Sequence, residues 1–368
     1  MAKLKCASFF AGVGGIDLGF KNTGVFETVY ANEFDQSPAK TMEQNFDINV
    51  DVRDIQDVIP EEIPAVDVIM GGFPCQAFSI AGYRHGFEDE KGRGTLFFEM
   101  LRLIRAKQPR VVFAENVKNL VSHENGNTFR VITEALEDAG YHVKSQVLNA
   151  MDYGNIPQNR ERIYIVGFRN IEDYKNFEFP DPVKRTVEIE DVIGFSEKVD
   201  DRFYYTKGKY ANNLYERLVE GMDEQHAIYQ WRRKYVRKNQ SGVVPTLTAN
   251  MGEGGHNVPL VKTEYGIRKL TPKECFRVQG FPENFKLPEN VTDSKLYKQA
   301  GNSVCVTVIE RIAENIAKAI STTDFKQSSS LVTYDKIEKY VAGLEDSNEI
   351  RIITKMLRTI MQEQETLG

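Results

Sequence analysis

The chain has 368 residues, 41% of them hydrophobic, and 47 Lys and Arg against 53 Asp and Glu leave a formal net charge of −6. That length supports a large core and more than one ordinary domain of about 100–200 residues; its longest apolar runs are strand-sized and its start carries no charged-then-apolar leader, so neither a membrane span nor a signal peptide is expected. Cys6, Cys75, Cys275 and Cys305 lie far apart with no C-x-x-C pair, which argues against zinc and a disulfide framework and suits a reducing cytoplasm.

Residues 4–9 read as a short strand, followed by Ser8-Phe9-Phe10-Ala11-Gly12-Val13-Gly14-Gly15 and a helix through Ile16, Leu18 and Phe20. Such a strand, glycine loop and helix lets backbone approach a nucleotide-like ligand, but Asp17 breaks the dinucleotide fingerprint G-x-G-x-x-G. A second strand over 26–32 ends at Glu33, where a carboxylate can grip ribose hydroxyls. A third, over 49–53, ends at Asp54, which either faces the same ligand or caps the turn after it. The fourth, 66–70, runs into Gly71-Gly72-Phe73-Pro74-Cys75-Gln76-Ala77-Phe78-Ser79 and sets a cysteine just beyond a strand's carboxyl end. Pro74 stiffens the backbone entering Cys75, so the thiol can be aimed; a small buried apolar residue is the plain alternative.

A helix over 95–107 puts Phe98, Leu101 and Ile104 on one face, and a fifth strand, 110–114, delivers Glu115-Asn116-Val117 to the same edge of the sheet. Beside a buried site Glu115 would stay protonated and act as a general acid; alone it would be a solvated loop residue. Gln158-Asn159-Arg160-Glu161-Arg162 leads into an apolar strand, 163–168, whose arginines can clamp a phosphate, orient a ring or simply pair at the surface. Too little chain separates that strand from 141–148 for a crossover helix, so those two are expected to be antiparallel. The alternation as a whole predicts an α/β fold, doubly wound and mostly parallel.

From Ala227 to Gly252 no acidic residue occurs, and Arg232, Arg233, Lys234, Arg237 and Lys238 crowd beside Tyr229, Trp231 and Tyr235. Such a stripe can neutralise phosphates and offer aromatic faces, or be a solvated helix face. A helix carrying Val304, Val308, Ile309 and Ile312 should fold back on the first domain; 322–330 reads as a linker, followed by short amphipathic helices over 334–344 and 349–363.

Together these blocks resemble the DNA (cytosine-5)-methyltransferases of bacterial or phage restriction-modification systems. Phe10-Ala11-Gly12-x-Gly14-Gly15 is similar to the family's cofactor loop, Pro74-Cys75-Gln76 to its catalytic loop, Glu115-Asn116-Val117 to its acid motif and Gln158-x-Arg160-x-Arg162 to its arginine motif. Arg268 to Cys275 with Gln279-Gly280-Phe281-Pro282, and Gln299-Ala300-Gly301-Asn302-Ser303-Val304, resemble the last two blocks, so the likeness spans residues 8 to about 312. Ser8 stands where the family often has aspartate, and Ala81 where some members carry a serine that reaches DNA, which leaves open what fills the gap left by a flipped base.

The resemblance implies a Rossmann-like, S-adenosylmethionine-dependent catalytic domain over 1–172 and 268–320, a target recognition domain over 173–267, and a linker and helical extension over 321–368 that it does not cover. It implies Cys75 as the nucleophile, Glu115 at ring nitrogen 3, Arg160 on the ring's carbonyl oxygen, and Arg162 on the sugar-phosphate or on Glu115 itself. For the donor it implies Phe10, Gly12, Gly14, Gly15, Glu33, Phe34, Asp54, Ile55, Pro74, Leu96, Asn302 and Ser303. For DNA it implies Gln76, Ser79, the five cations of the stripe and Thr246, with Val244 to Thr248 resembling the Thr-Leu signature. Gly252 to Asn257 looks like a loop near the groove, where His256 is a contact or a plain loop residue. No metal is expected; the partner is double-stranded DNA, the chain is expected to be a monomer, and a separately encoded restriction endonuclease is compatible. A tRNA cytosine methyltransferase would share the blocks, a silent DNA-binding relative would share the fold, and a nicotinamide dehydrogenase explains little beyond the first 60 residues.

Overall fold

A computed structural model describes residues 3–74, 96–210, 212–253 and 257–342, with side chains as far as residue 324. Cys75, Gln76, Ser79, Ala81, His256 and the expected helix over 349–363 lie outside the described residues. The strands of the main sheet are β1 (Leu4–Phe9), β2 (Phe26–Asn32), β3 (Val50–Asp51), β4 (Val68–Gly71), β5 (Val111–Val117), β6 (His142–Asn149) and, after a short β7 (Gln158–Asn159) outside the sheet, β8 (Glu161–Phe168). Their order is β3-β2-β1-β4-β5-β8-β6, and β8 is antiparallel to both neighbours. The third strand is thus shorter than the expected 49–53, the fifth extends through Glu115 to Val117, and the pairing of 141–148 with 163–168 is antiparallel as expected.

The longer helices are α1 (Gly15–Asn22), α2 (Gln36–Glu43), α3 (Leu96–Lys107), α4 (Asn127–Glu137), α5 (Ile171–Asn176), α6 (Leu214–Gly221), α7 (Pro272–Val278), α8 (Asp293–Asn302) and α9 (Val306–Ala342). Strands covered on both faces need apolar runs rather than alternation, and β4 and the first four residues of β5, Val111 to Ala114, have them, while β1 is apolar except for Lys5 and Ser8. On one face Cys6, Val68, Met70, Phe113 and Tyr164 pack with α1 and α9; on the other Ala7, Phe9, Ile69, Val112 and Ile163 pack with α3 and α4. The chain leaves β1 for β2 and β3 on one side and returns to β4 and β5 on the other. That reversal opens a crevice beyond the carboxyl ends of β1 and β4, where open α/β sheets take their ligands.

The inserted region has its own sheet, β9 (Tyr229–Trp231), β10 (Val236–Lys238), β12 (Leu260–Thr263) and β13 (Gly266–Lys269), in the order β10-β9-β12-β13, around Leu218, Met222, Tyr229, Leu260 and Ile267. β11 (Val244–Pro245) pairs instead with β7 and sews the insert to the arginine block. The basic stripe lies on the β9–β10 hairpin and not on a helix. After β13 the chain forms a buried joint: Arg268 donates to both carboxylate oxygens of Glu274 at 2.8 Å, while Glu274 and Thr271 cap α7 reciprocally.

The segment 322–330, expected to be a linker, is instead part of the 37-residue α9, as is the shorter helix expected from 334. Its composition is overridden by tertiary anchors: Asp324 accepts from Arg110, which also grips buried Asp173, and the Thr323 hydroxyl accepts from Asn176. Among the described residues no helix is long and apolar enough to cross a membrane.

α1 and α9 touch backbone to side chain at Gly19, where a Cβ would lie 2.6 Å from the Ile309 side chain and 2.9 Å from Glu310 N. Gly19→Ala should therefore cost about 1–3 kcal/mol by overpacking, read as a melting temperature lower by several degrees; an unshifted melt would show that the two helices can part freely.

Candidate active site

A cavity of about 690 Å³ occupies the crevice. Its floor is the glycine loop, with Phe10 at φ 53° and Gly12 at φ 57°, and a Cβ added to Gly12 would meet none of the described residues within 4 Å. Glu33, at the end of β2, accepts from Gly12 N at 2.8 Å and from Asp35 N at 2.9 Å; burial pushes its carboxyl up. Beside it Phe34 keeps its ring 70% exposed at the cavity wall. Pro74, Leu96, Gly15, Asn302 and Ser303 line the same space.

Three donor residues implied by the resemblance fall elsewhere. Asp54 caps the turn after β3 by accepting from Gln56 N, Ile55 is buried in the core under α3, and Gly14 caps α1; none lines the cavity.

At the other end of the cavity β5 presents Glu115, β8 presents Arg162, and Arg160 sits between β7 and β8. Glu115 and Arg162 share a face in diagonal register, and Arg162 Nε stands 3.0 Å from Glu115 Oε1. Glu115 is buried, and desolvation pushes its carboxyl up against the opposing pull of Arg162 and Arg160. Arg160 is 2% exposed and donates to the backbone carbonyls of Leu247 (2.8 Å), Gly301 (3.2 Å) and Ser303. Burial and the neighbouring Arg162 charge lower its pKa to about 9, which still leaves it cationic at neutral pH. Among the described residues its Nε has no hydrogen-bond partner, nor has the buried Ser303 Oγ, and Glu115 Oε1 has only the Arg162 ion pair. Buried polar atoms left unpaired at one cavity are expected where a polar ligand completes them.

Other residues shape the site without having stood out in the sequence. Asn116 donates to Phe73 O at 2.7 Å and so fixes the backbone that enters Cys75. Gln158 donates to Val278 O and Gln279 and accepts from Leu247 N, joining the insert to the last two blocks. Both belong to motifs quoted above, so the signal was present. Lys295 and Lys298, one helical turn apart on α8, line the cavity rim, and no motif marked them. Gly301 lies so close to the insert that a Cβ there would stand 2.1 Å from Thr248 C.

Of the cations on the insert, Arg232, Arg233, Lys234 and Arg237 are exposed around the hairpin turn beside Tyr235, whereas Lys238 is half-buried and pairs with Glu224 and Asp223. Thr246 is exposed, and its hydroxyl donates to Asn159 O at 2.6 Å. Cys6, Cys275 and Cys305 are buried with thiols pushed up by burial, the setting of inert cysteines. Among the described residues no group of three or more His, Cys, Asp and Glu could hold a metal ion.

A family model described as C-5 cytosine-specific DNA methylase matches residues 4–318. The chain is 65% identical over 317 residues to Type II methyltransferase M.Bsp6I of Bacillus sp. (strain RFL6), covering 86% of this chain and 99% of that one. It is 39% identical over 327 residues to Type II methyltransferase M.HhaI of Haemophilus parahaemolyticus, covering 86% and 95%. In fold it is similar to a putative DNA modification methyltransferase encoded within an Escherichia coli prophage, with a TM-score of 0.62 and 22% identity over 87% of this chain and all of that one.

The ion pair at the cavity makes a test of its own. Arg162→Met keeps bulk but removes the cation, so the Glu115 carboxyl should rise further. A carboxyl raised above its unfolded value weakens the fold above that value, so the variant's stability deficit should grow from pH 5 to pH 8 in urea unfolding. A deficit that does not change with pH would show that Arg162 does not set the charge on Glu115.

Proposed function

The chain belongs to the C-5 cytosine-specific DNA methylases and methylates carbon 5 of cytosine in DNA sequence-specifically, and from that premise we propose that S-adenosylmethionine is the donor and Cys75 the covalent nucleophile. The observation that carries this reading is the single cavity wall shared by Gly12, Glu33 and Phe34 at one end and Glu115, Arg160 and Arg162 at the other. The donor end fits an adenosine: Phe34 offers a bare ring, Glu33 an acceptor for ribose hydroxyls, Gly12 an open backbone, and Ser303 Oγ an unpaired polar atom. S-adenosylmethionine, when bound, supplies an electrophilic methyl group.

Carbon 5 of cytosine is too weak a nucleophile to take that group unaided. Addition of the Cys75 thiolate to carbon 6 turns the ring into an enamine, splitting a hard step into easier ones. Glu115, whose carboxyl burial pushes up, hydrogen-bonds ring nitrogen 3 in its acid form and draws electrons toward that edge. Arg162 holds Glu115 in place, and the Nε of Arg160, without a hydrogen-bond partner among the described residues, is the donor left to the ring's carbonyl oxygen. Asn116 aims the strand end that carries the thiol. A stacked base cannot reach this cavity, so the target cytosine is flipped out, at a few kcal/mol recovered from contacts to the extruded base. A reducing cytoplasm suits a working thiol. A tRNA substrate is not favoured, since the relatives named above are Type II methyltransferases and the family model is one of DNA methylases.

Residues 173–267 we assign to target choice, and 1–172 with 268–320 to chemistry. The separate sheet and the exposed cations of its hairpin support that division. Arg232, Arg233 and Lys234, with no ion pair among the described residues, are placed to meet phosphates.

Cys75→Ala should abolish methylation, read by bisulfite sequencing of host DNA, while leaving donor and DNA binding largely intact. An oligonucleotide carrying 5-fluorocytosine should trap a denaturation-resistant adduct with the native chain and none with the variant; turnover within about tenfold of native would remove the covalent role. For the insert, alanine at both Arg232 and Arg233 should weaken target and non-target DNA alike and flatten the log K against log salt slope by about 0.9 for each phosphate no longer neutralised. Relaxed specificity at one base with an unchanged slope would mean that an arginine reads a base edge.

A further inference from the structure

Beneath the glycine loop lies a titratable group that no step above uses. Asp17, in the first turn of α1, is fully buried; its carboxylate accepts from the Ser8 hydroxyl of β1 at 3.0 Å and from the Thr28 hydroxyl of β2 at 2.8 Å. Among the described residues no cation offsets its charge, so it is a costly choice for a place that apolar packing could fill. Its position gives the reason. The far end of the loop is pinned to β2 through Ala11 N to Asn32 O and Gly12 N to Glu33, whereas the near end is the first turn of α1, which the Asp17 side chain ties to both strands.

We propose that Asp17 is a positioning residue for the methyl donor: by tying α1 to β1 and β2 it holds the Phe10–Gly15 loop in the shape that receives the ligand. The inference rests on the reading of this cavity as the S-adenosylmethionine site. Burial pushes the Asp17 carboxyl up to about 6, with the two hydroxyls pulling it back. Ionised, it accepts from both hydroxyls at once; protonated, it must donate to one of them, and that hydroxyl turns round. The other titratable groups nearby are Cys6 on β1, a thiol kept neutral by burial and by Asp17, and Asp67 and Glu27, which act on Cys6 from the strand ends. On α9 Glu310 accepts from Asn22 at the opposite end of α1.

The test is calorimetric titration of the full chain with S-adenosylhomocysteine from pH 5 to pH 8, for the native chain and Asp17→Asn. The variant should bind about tenfold more weakly at pH 7.5, the value of one buried hydrogen bond, and the two affinities should converge as pH falls through about 6. Glu33 titrates in both chains and cancels from the ratio. A carboxyl raised above its unfolded value weakens the fold at neutral pH, so Asp17→Asn should melt at the same temperature or higher while binding worse, a combination that a merely structural role does not give. Thr28→Val, which removes one hydrogen bond and keeps the carboxylate, should lower affinity about threefold. A ratio near one at pH 7.5, a ratio that ignores pH, or a weakening of affinity that tracks a lowered melting temperature would each overturn the proposal. Absence of binding by the native chain would overturn the donor reading itself.

Discussion

One buried guanidinium holds the molecule's parts in register. Arg160 commits its terminal nitrogens to carbonyls of Leu247, Gly301 and Ser303, up to 143 residues away in sequence. A buried cation is tolerable only when its hydrogen bonds are met, so the three carbonyls must come to it. Meeting that demand brings the insert, the end of α8 and the arginine strand within touch. Gly301 then has to be glycine because Thr248 passes at van der Waals range, and Gln158 must reach both Leu247 and Gln279 to satisfy its amide. The cavity is the space these obligations leave open.

The site sets opposing electrostatic demands within a few ångströms. Burial pushes the Glu115 carboxyl up, yet it faces Arg162 at 3.0 Å, which favours the anion. Neither influence is allowed to win outright, which is the condition for a group that shares a proton with substrate near neutral pH. At the donor end Glu33 is balanced in a similar way, raised by burial and restrained by the amides of Gly12 and Asp35.

Much of this was legible in the sequence, because the central strands are covered on both faces and therefore written as apolar runs. Such runs make the strand ends locatable and put Glu33, Pro74 and Glu115 at one edge of the sheet. Asp54 was legible only as a pair of alternatives, since a carboxylate after a strand serves a ligand and a turn equally well, and the turn bond from Gln56 N occupies one of its two oxygens. The serine-rich segment after Thr322 was misleading because local composition says nothing of Arg110, 214 residues away, which holds Asp324 against the sheet. Arg160 was legible as a residue and not as a tie, for the same reason: its acceptors are backbone carbonyls, which carry no sequence signature.

The close fit of Gly19 on Ile309 also dictates when the protein can exist. On a ribosome adding about 5–20 residues per second, some 15–60 seconds separate the appearance of α1 from that of the helix that covers it. Until then one face of the growing sheet, including Cys6, Met70 and Phe113, lacks the cover of α9, and Arg160 lacks two of its three acceptors. The stretch from Gly301 to Ile320 thus completes the fold: a nascent copy has the motifs for chemistry but no assembled place in which to perform it.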